Sequence, residues 1–118
     1  KGTPLRDVAG MVRSFDYAAR ARAIGRAHQR PEVLAHLLPL ARAWAVRAVE
    51  AFLAGYGAAI ESCPSWPADK ATADRLIAFF ALEKAVYEVA YEAANRPDWL
   101  RIPVDGVLDM LDSRRTPS

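Results

Sequence analysis

The stretch Lys84-Ala-Val-Tyr-Glu-Val-Ala-Tyr-Glu-Ala-Ala-Asn-Arg-Pro-Asp-Trp99 indicates the fold class of this chain most clearly. Tyr87 and Tyr91 are four residues apart, and so are Glu88 and Glu92. Residues at this spacing lie on one side of an α-helix. The stretch therefore predicts an amphipathic helix that presents aromatic rings and carboxylates together.

The chain before this stretch predicts two further long helices. Thr3-Pro4 has the pattern of an N-cap followed by proline in the first turn, and helical spacing then continues to about Ala27. Gln29-Arg30-Pro31 is expected to end that helix. Pro39 is expected to interrupt the next segment, so that a short helical turn precedes a second long helix from Leu40.

A loop and two cap candidates precede the third long helix. Residues 62–67, Ser-Cys-Pro-Ser-Trp-Pro, have the composition of a loop. Asp69 or Thr72 can cap the helix that follows, and Asn95-Arg-Pro97 is expected to end it.

The end of the chain completes an all-helical prediction. Ile102-Pro103 is expected to open a short last helix, and residues 113–118 are expected to form a frayed polar tail. No segment alternates between apolar and polar residues with period two. Residues 1–118 are therefore predicted to form a single all-α subdomain.

Composition bounds the functions that this chain can have. It has 118 residues, 53% of them hydrophobic, but its mean hydropathy is only -0.03 because many of these are alanine. We therefore expect close helix packing around a few large side chains. The net charge of +2, from 16 basic and 14 acidic residues, gives no reason to invoke nucleic acid or an anionic membrane.

The single cysteine, Cys63, cannot form a disulfide within the chain, and no Cys/His spacing suggests a zinc site. A reducing cytoplasm is the simplest location for such a chain. No apolar run reaches the roughly 18 to 20 residues that a membrane-spanning helix needs.

Two motifs, and a short Ile-Pro segment after the second, connect the chain with a known family. Pro4-Leu-Arg-Asp-Val-Ala-Gly-Met-Val-Arg-Ser-Phe-Asp-Tyr-Ala18, the Lys84–Trp99 stretch and Ile102-Pro103 follow one another in order. With them, nearly the whole chain resembles the C-terminal part of the bacterial maltokinases, most closely at its two ends. Those enzymes are similar to aminoglycoside phosphotransferases and, more distantly, to protein kinases. The resemblance implies a helical part of the C-terminal kinase lobe.

The resemblance also implies an activity for the longer protein. Members of the family transfer the terminal phosphate of ATP to the anomeric hydroxyl of maltose, and the maltose 1-phosphate feeds α-glucan (glycogen) synthesis. Such an enzyme needs ATP and Mg²⁺. The chain contains no Gly-rich phosphate loop, no His-Gly-Asp loop and no Asp-Phe-Glu or Asp-Phe-Gly motif. In the family these lie upstream, so the chain alone is expected to be inactive, with no catalytic, cofactor or metal residue of its own.

The expected partners follow from the same resemblance. They are maltose or a related sugar and the remainder of the kinase chain, to which some members fuse a trehalose synthase domain. Ala90, Ala93 and Ala94 replace residues that are often larger or polar in the family. The kinase-like fold is therefore implied more firmly than the identity of the sugar.

Four residues of the Lys84–Trp99 stretch are the first candidates for sugar binding. Sugars are held by polar groups and an apolar ring face. We expect Glu88 to accept hydrogen bonds from sugar hydroxyls and Tyr87 or Tyr91 to supply a ring edge or a hydroxyl, with Glu92 beside them. The alternative is structural: both tyrosines pack against the first helix, and Glu92 is only solvated.

Arg13 and Asp16, three residues apart in the first motif, are the second candidates. They are expected either to position the catalytic loop or to reach the sugar. The alternative is a structural ion pair, with each other or with Glu88 or Lys84 on the third helix.

Other residues receive structural interpretations. Trp44 is expected in the core, Trp99 is expected to fasten the last segment, and Gly10 is expected where a neighbouring element comes close. The arginines at positions 20, 22, 26 and 30 are expected on a solvated side, and the two histidines have no catalytic partner.

A different class of function is also open at this point. The chain can be a non-catalytic helical module that binds a partner protein through an exposed apolar side, or that forms a homodimer to cover it.

Overall fold

The computed structural model describes residues 4–61, 64 and 66–115. These residues form four α-helices and one short 3-10 helical turn, without a strand: α1 Pro4–Ala27, α2 Pro31–Glu61, α3 Lys70–Asn95, the turn Pro97–Trp99, and α4 Arg101–Arg115. The all-α prediction is confirmed. The Thr3 cap, Cys63 and residues 116–118 lie outside the described residues.

Helix α1 is the centre of the fold. It packs against α2 on one side and against α3 and α4 on others, and among the described residues the backbone of α2 lies close to α1 alone. Much of the core is alanine, which lets helix axes approach closely. Val8 on α1 and Ala85 on α3, for example, are completely buried. The expectation of a core with few large side chains is confirmed.

A tight turn joins α1 to α2, at the place that the sequence predicts. His28 and Gln29 both have positive φ, at 50° and 63°, and the Arg30 N–H donates to the Ala27 carbonyl at 3.0 Å. This left-handed conformation ends α1 and reverses the chain. Ala23, Ala27 and Leu34 then form a buried cluster between the two helices.

Pro39 does not interrupt the second helix, and the predicted break is wrong. Helix α2 runs for 31 residues from Pro31 to Glu61 with Pro39 inside it. Proline removes one hydrogen bond, to the carbonyl four residues earlier. That residue, Ala35, is exposed, as is Pro39, so water can reach the freed carbonyl. Packing of Leu34, on the opposite side, against α1 holds the helix together there.

The ends of α3 and α4 agree in part with the prediction. Asp69 is the N-cap residue of α3, and the Thr72 hydroxyl donates to its carboxylate at 2.8 Å. This bond lowers the pKa of Asp69. Helix α3 ends at Asn95, as predicted. Helix α4 continues to Arg115, two residues beyond the predicted start of the polar tail at Ser113.

Two interpretations of single residues are also wrong. Trp44 is 50% exposed and touches Phe15 only edge to face, with ring centroids 6.1 Å apart. Among the described residues only α1 approaches the backbone of α2 closely, so no further helix covers Trp44. A Cβ at Gly10 would meet no atom within 4 Å, so no element comes close there.

The molecule is elongated. Its radius of gyration is 15.2 Å and its extents are 47 × 28 × 26 Å, whereas a compact domain of 118 residues has a radius of about 13.5 Å. The length corresponds to α2, since 31 residues of helix span about 46 Å. In the described part of the chain, no helix combines the length and apolar character needed to cross a bilayer.

Candidate functional site

Arg13 is buried at the contact between α1 and α3. Only 2% of its surface is exposed. Its Nε and Nη2 both donate to Glu88 Oε1, at 3.0 and 2.6 Å, and its Nη1 donates to Asp16 Oδ2 at 2.8 Å. The ion pairs considered as the structural alternative for Arg13 and Asp16 are therefore present, with each other and across to Glu88.

The ion pairs continue from Asp16 to the other two helices. Arg20 donates from Nε to Asp16 Oδ2 at 2.9 Å and from Nη2 to Asp109 Oδ2 on α4 at 2.5 Å. Arg42 Nη1 on α2 lies 3.5 Å from the same Asp109 oxygen. Acidic and basic groups alternate along this network, which touches all four helices. We call it the ion network; its members are Glu88, Arg13, Asp16, Arg20, Asp109 and Arg42.

The basic run predicted Arg20 on a solvated side of α1. This prediction is wrong. Arg20 is 3% exposed. Burial by itself lowers the pKa of Arg20, but the hydrogen bonds to Asp109 and Asp16 outweigh it and raise the pKa above the usual value. The buried charge is stabilised because carboxylates on two helices surround it.

Gly106 allows α4 to approach the ion network. A Cβ at this position would lie 2.9 Å from Arg13 Nη1, 3.2 Å from Arg13 Nη2 and 3.3 Å from Asp16 Oδ2. A side chain at this position would have to displace the Arg13 guanidinium, which two carboxylates hold in place. The close approach that was expected at Gly10 is found at Gly106.

Glu92 is buried near the C-terminal end of α3. The Tyr17 hydroxyl donates to Glu92 Oε2, and Arg96 donates from Nε to Oε1 at 2.9 Å and from Nη2 to Oε2 at 2.8 Å. The expectation of a solvated Glu92 is wrong, since the residue is 2% exposed. The hydrogen bonds from Arg96 and then Tyr17 lower the pKa of Glu92.

The pKa of Tyr17 is shifted in the opposite direction to that of Glu92. Burial, followed by the hydrogen bond to the Glu92 carboxylate, raises the pKa of Tyr17 to about 12. Its ring stacks on Trp99 with centroids 6.2 Å apart and an interplanar angle of 15°, and the Arg96 guanidinium lies 5.0 Å from the Trp99 ring centroid. Trp99 thus fastens the turn after α3 to α1, the architectural role that was predicted.

An open groove lies between the N-terminal half of α1 and the middle of α3. We call it the α1–α3 groove. Its volume is about 790 Å³. The residues that line it are Arg6, Asp7, Gly10, Met11, Ser14, Phe80, Glu83, Lys84 and Tyr87.

The walls of the α1–α3 groove combine charge, hydroxyl groups and rings. Arg6 Nη1 pairs with Glu83 Oε1 at 2.9 Å, and its guanidinium lies 4.3 Å from the Phe80 ring centroid. Asp7 and Lys84 are exposed in the groove. Such a surface can offer hydrogen bonds of both directions beside apolar faces, which is the chemistry that a sugar ring requires.

The structure separates the candidates of the Lys84–Trp99 stretch. Tyr87 is 67% exposed and lines the α1–α3 groove, whereas Tyr91 is 47% exposed and lies outside it. The structural alternative, in which both tyrosines pack against α1, is therefore wrong. Glu88 is held by Arg13 and is not among the groove residues, and Glu92 is held by Tyr17 and Arg96.

Sequence reasoning missed several of these neighbours. Met11 and Ser14 follow Asp7 by four and seven residues, so helical spacing alone places the three on one side of α1. Arg96 follows Glu92 by four residues, a visible ion-pair spacing. The pairing of Arg20 with Asp109 had no such signal, since 89 residues separate them.

The described residues contain no group of three or more His, Cys, Asp or Glu side chains that could hold a metal ion. The acids of the ion network are instead paired with arginines. A comparison with models of known protein families finds none that matches this chain.

Proposed function

We propose that this chain is the helical C-terminal part of a maltokinase-like enzyme and that the α1–α3 groove belongs to the acceptor-sugar side of its cleft. One observation carries the proposal. The two motifs that resemble the family, Pro4–Ala18 and Lys84–Trp99, both contribute to one groove: Asp7 and Ser14 come from the first, Lys84 and Tyr87 from the second. Phe80 and Glu83, which precede the second motif, complete the α3 side of the groove.

The groove residues have distinct roles in this proposal. Lys84 and the Ser14 hydroxyl donate hydrogen bonds to sugar oxygens, Asp7 accepts them, and the Tyr87 ring covers an apolar sugar face. Tyr91 lies one turn further along α3, about 6 Å away, where it can meet the second ring of a disaccharide. These residues bind and orient the acceptor; the proposal assigns no residue here to ATP or Mg²⁺, which bind upstream in the longer chain.

The ion network positions the groove walls. Arg13 holds Glu88 of α3 and Asp16 of α1 on the buried side of the same helix pair that carries the groove. Near the C-terminal end of α3, Glu92 links α3 to α1 through the hydrogen bond from Tyr17, and Arg96 also donates to Glu92. Phosphoryl transfer depends on placing the acceptor hydroxyl in line with the phosphate, so these residues act through the alignment of α1 and α3.

The first experiment measures ADP formation by the longer parent protein with maltose, glucose, trehalose and an aminoglycoside as acceptors. The 118-residue chain is assayed beside it. We expect turnover on maltose by the parent and none by the chain alone. Absence of turnover on every sugar would overturn the proposal.

Glu88→Gln in the parent tests whether this residue contacts the sugar or only positions α3. A positioning role predicts a lower melting temperature with a modest change in the KM for maltose, because the Arg13 pair is weakened. A direct contact predicts a large rise in KM at unchanged thermal stability.

A second candidate function is a non-catalytic helical interaction module. Leu40, Trp44 and Val46 on α2 are all at least half exposed, and exposed apolar patches favour interaction surfaces. Titration of the isolated chain with maltose, followed by NMR, distinguishes the kinase proposal from the interaction module. Shifts confined to the α1–α3 groove favour the kinase proposal, and a sugar-blind chain that binds protein favours the module.

A further inference from the structure

We propose that a groove between α2 and α4 binds a small monocarboxylate that carries a short apolar chain. We call this space the α2–α4 groove. The inference goes beyond the proposed function and does not depend on it, because the α2–α4 groove shares no residue with the α1–α3 groove.

The α2–α4 groove lies beside the ion network. The backbones of α2 and α4 do not come close to each other in the part of the chain that the structure describes. Residues of α1, α2 and α4 all line the space that is left, which has a volume of about 340 Å³. This volume is in the range of pockets that hold small ligands.

One hydrogen-bond donor at this groove has no partner. Arg20 is 3% exposed and donates from Nε to Asp16 and from Nη2 to Asp109, but its Nη1 makes no hydrogen bond to any described residue. No fully buried side-chain nitrogen or oxygen lacks a partner in the described part of the chain, so Nη1 must be accessible from outside. Because Arg20 lines the α2–α4 groove, an acceptor atom in this groove would complete its hydrogen bonds.

Arg42 supplies a second cation at the same end of the groove. Its side chain is 47% exposed, and its Nη1 lies 3.5 Å from Asp109 Oδ2, the atom to which Arg20 Nη2 donates. This separation is longer than a normal hydrogen bond, so Arg42 can donate to a ligand without losing a strong contact. Guanidinium groups from two helices thus meet near one point, and a carboxylate is the group that they bind best.

The rest of the groove is mainly apolar. Val46 and Val49 follow Arg42 by four and seven residues, so the three side chains lie on one side of α2. Val46 is 57% exposed, and Val12 and Met110 line the groove from α1 and α4. A ligand with its carboxylate at the arginines would place an apolar chain on these side chains and remove their surface from water.

The acids beside the arginines limit the charge that the ligand can carry. The ion network contains three arginines and three carboxylates, so it has no net charge. A dianion such as phosphate would be repelled by Asp16 and Asp109, whereas a monoanion gains a charge-assisted hydrogen bond from each of the two arginines. An uncharged amide would gain only weaker hydrogen bonds.

The test is a titration of the 118-residue chain with hexanoate at constant ionic strength, followed by NMR of the backbone amides. We expect saturable shifts confined to residues of the α2–α4 groove, with a Kd of about 1 mM. Hexanamide, which has the same shape without the charge, should bind about tenfold more weakly, and inorganic phosphate should not compete with hexanoate. Absence of saturable shifts, shifts at another surface, or equal binding of hexanamide or phosphate would overturn the proposal.

Shorter acids test the apolar part of the groove. The affinity should rise about two- to fourfold for each methylene added between acetate, butyrate and hexanoate, because each one covers part of the apolar wall. Equal affinities for the three acids would contradict a ligand with an apolar chain.

Arg42→Gln tests the carboxylate end. The position is exposed, and circular dichroism checks that the variant stays helical. The Kd for hexanoate should rise about tenfold, since one charge-assisted hydrogen bond is lost. Arg47→Gln removes the same charge from an exposed position of α2 that does not line the groove, and it should leave the Kd unchanged. An unchanged Kd in Arg42→Gln, or an equal loss of affinity in both variants, would overturn the proposal.

Discussion

Arg13 is the residue on which the alignment of α1 and α3 depends most. Its guanidinium is buried and meets two carboxylates, from two helices. A buried ion pair of this kind contributes little net stability compared with an apolar pair, but loss of one partner leaves the others uncompensated. The residue therefore specifies how the two groove walls are placed.

Replacement of Arg13 by alanine tests this role. We expect the free energy of unfolding to fall by about 3 to 5 kcal/mol, since Glu88 and Asp16 remain largely buried without their cation. Urea denaturation followed by circular dichroism measures the change. Arg47→Ala, at an exposed position of α2, is the control and should change stability by about 0.5 kcal/mol or less.

A methyl group at Gly106 should destabilise the fold, although alanine is the better helix former. The added Cβ would displace an Arg13 guanidinium that two carboxylates hold in place. We expect Gly106→Ala to lower the free energy of unfolding by about 1 to 2 kcal/mol, in urea. Gly25→Ala, where nothing lies within 4 Å, should raise it by about 0.5 to 1 kcal/mol. Equal effects at the two sites would contradict the packing described for α4.

Tyr17 makes stability depend on alkaline pH. Its pKa is about 12 in the folded protein, against a reference of 10.0. Between these two pH values the unfolded chain binds fewer protons than the folded protein. The contribution of Tyr17 to the free energy of unfolding is therefore complete below pH 10 and is lost as pH rises to about 12. The stability difference between the wild type and Tyr17→Phe, measured by urea denaturation, should shrink over this range. A difference that stays constant would show that Tyr17 and Glu92 do not interact as described.

At the scale of elements, α2 shows how far a local signal can be overridden. Pro39 forbids one hydrogen bond but does not forbid the helix, because packing on α1 continues on both sides of it. Proline inside a helix is nevertheless unfavourable compared with alanine. A different residue at position 39 should therefore make the folded protein more stable without changing the fold.

Pro39→Ala should raise the free energy of unfolding by about 2 kcal/mol. Alanine has a much higher helix propensity than proline, but it also makes the unfolded chain more flexible, which offsets part of the gain. Pro31→Ala is the control. Pro31 occupies the start of α2, where no intrahelical bond is lost, so its replacement should give no gain. A loss of stability in Pro39→Ala would contradict an uninterrupted α2.

The helices were predictable because their signals are local. Periodic spacing and the prolines at positions 31 and 97 mark the ends of α1 and α3 to within a few residues. The burial of Arg13, Arg20 and Glu92 was not predictable in the same way. Each is buried because helices distant in sequence, which spacing cannot identify, surround it with groups of opposite charge or with hydrogen bonds.

At the scale of the whole molecule, α1 separates two surfaces with different chemistry. Toward α3 it forms the polar α1–α3 groove, and toward α2 it forms a more apolar groove, lined among others by Ala18, Leu40 and Trp44. Of the six candidate sugar residues, only Tyr87 lines the polar groove, while Arg13, Asp16 and Glu88 lie in the ion network beside it. Sequence patterns predicted the helices that carry these candidates, and the packing of the helices determines which of their side chains are exposed.

The measurement that tests the central claim most directly is the KM for maltose of the proposed maltokinase-like parent protein with Tyr87→Ala, compared with Val86→Ala. Val86 is the adjacent residue, exposed on α3 but outside the α1–α3 groove. Loss of a sugar-stacking ring predicts a KM at least about tenfold higher for Tyr87→Ala, a change of about 1.4 kcal/mol, with the KM for ATP unchanged and Val86→Ala like the wild type. Equal KM values for maltose in all three proteins would contradict the placement of the acceptor sugar in this groove.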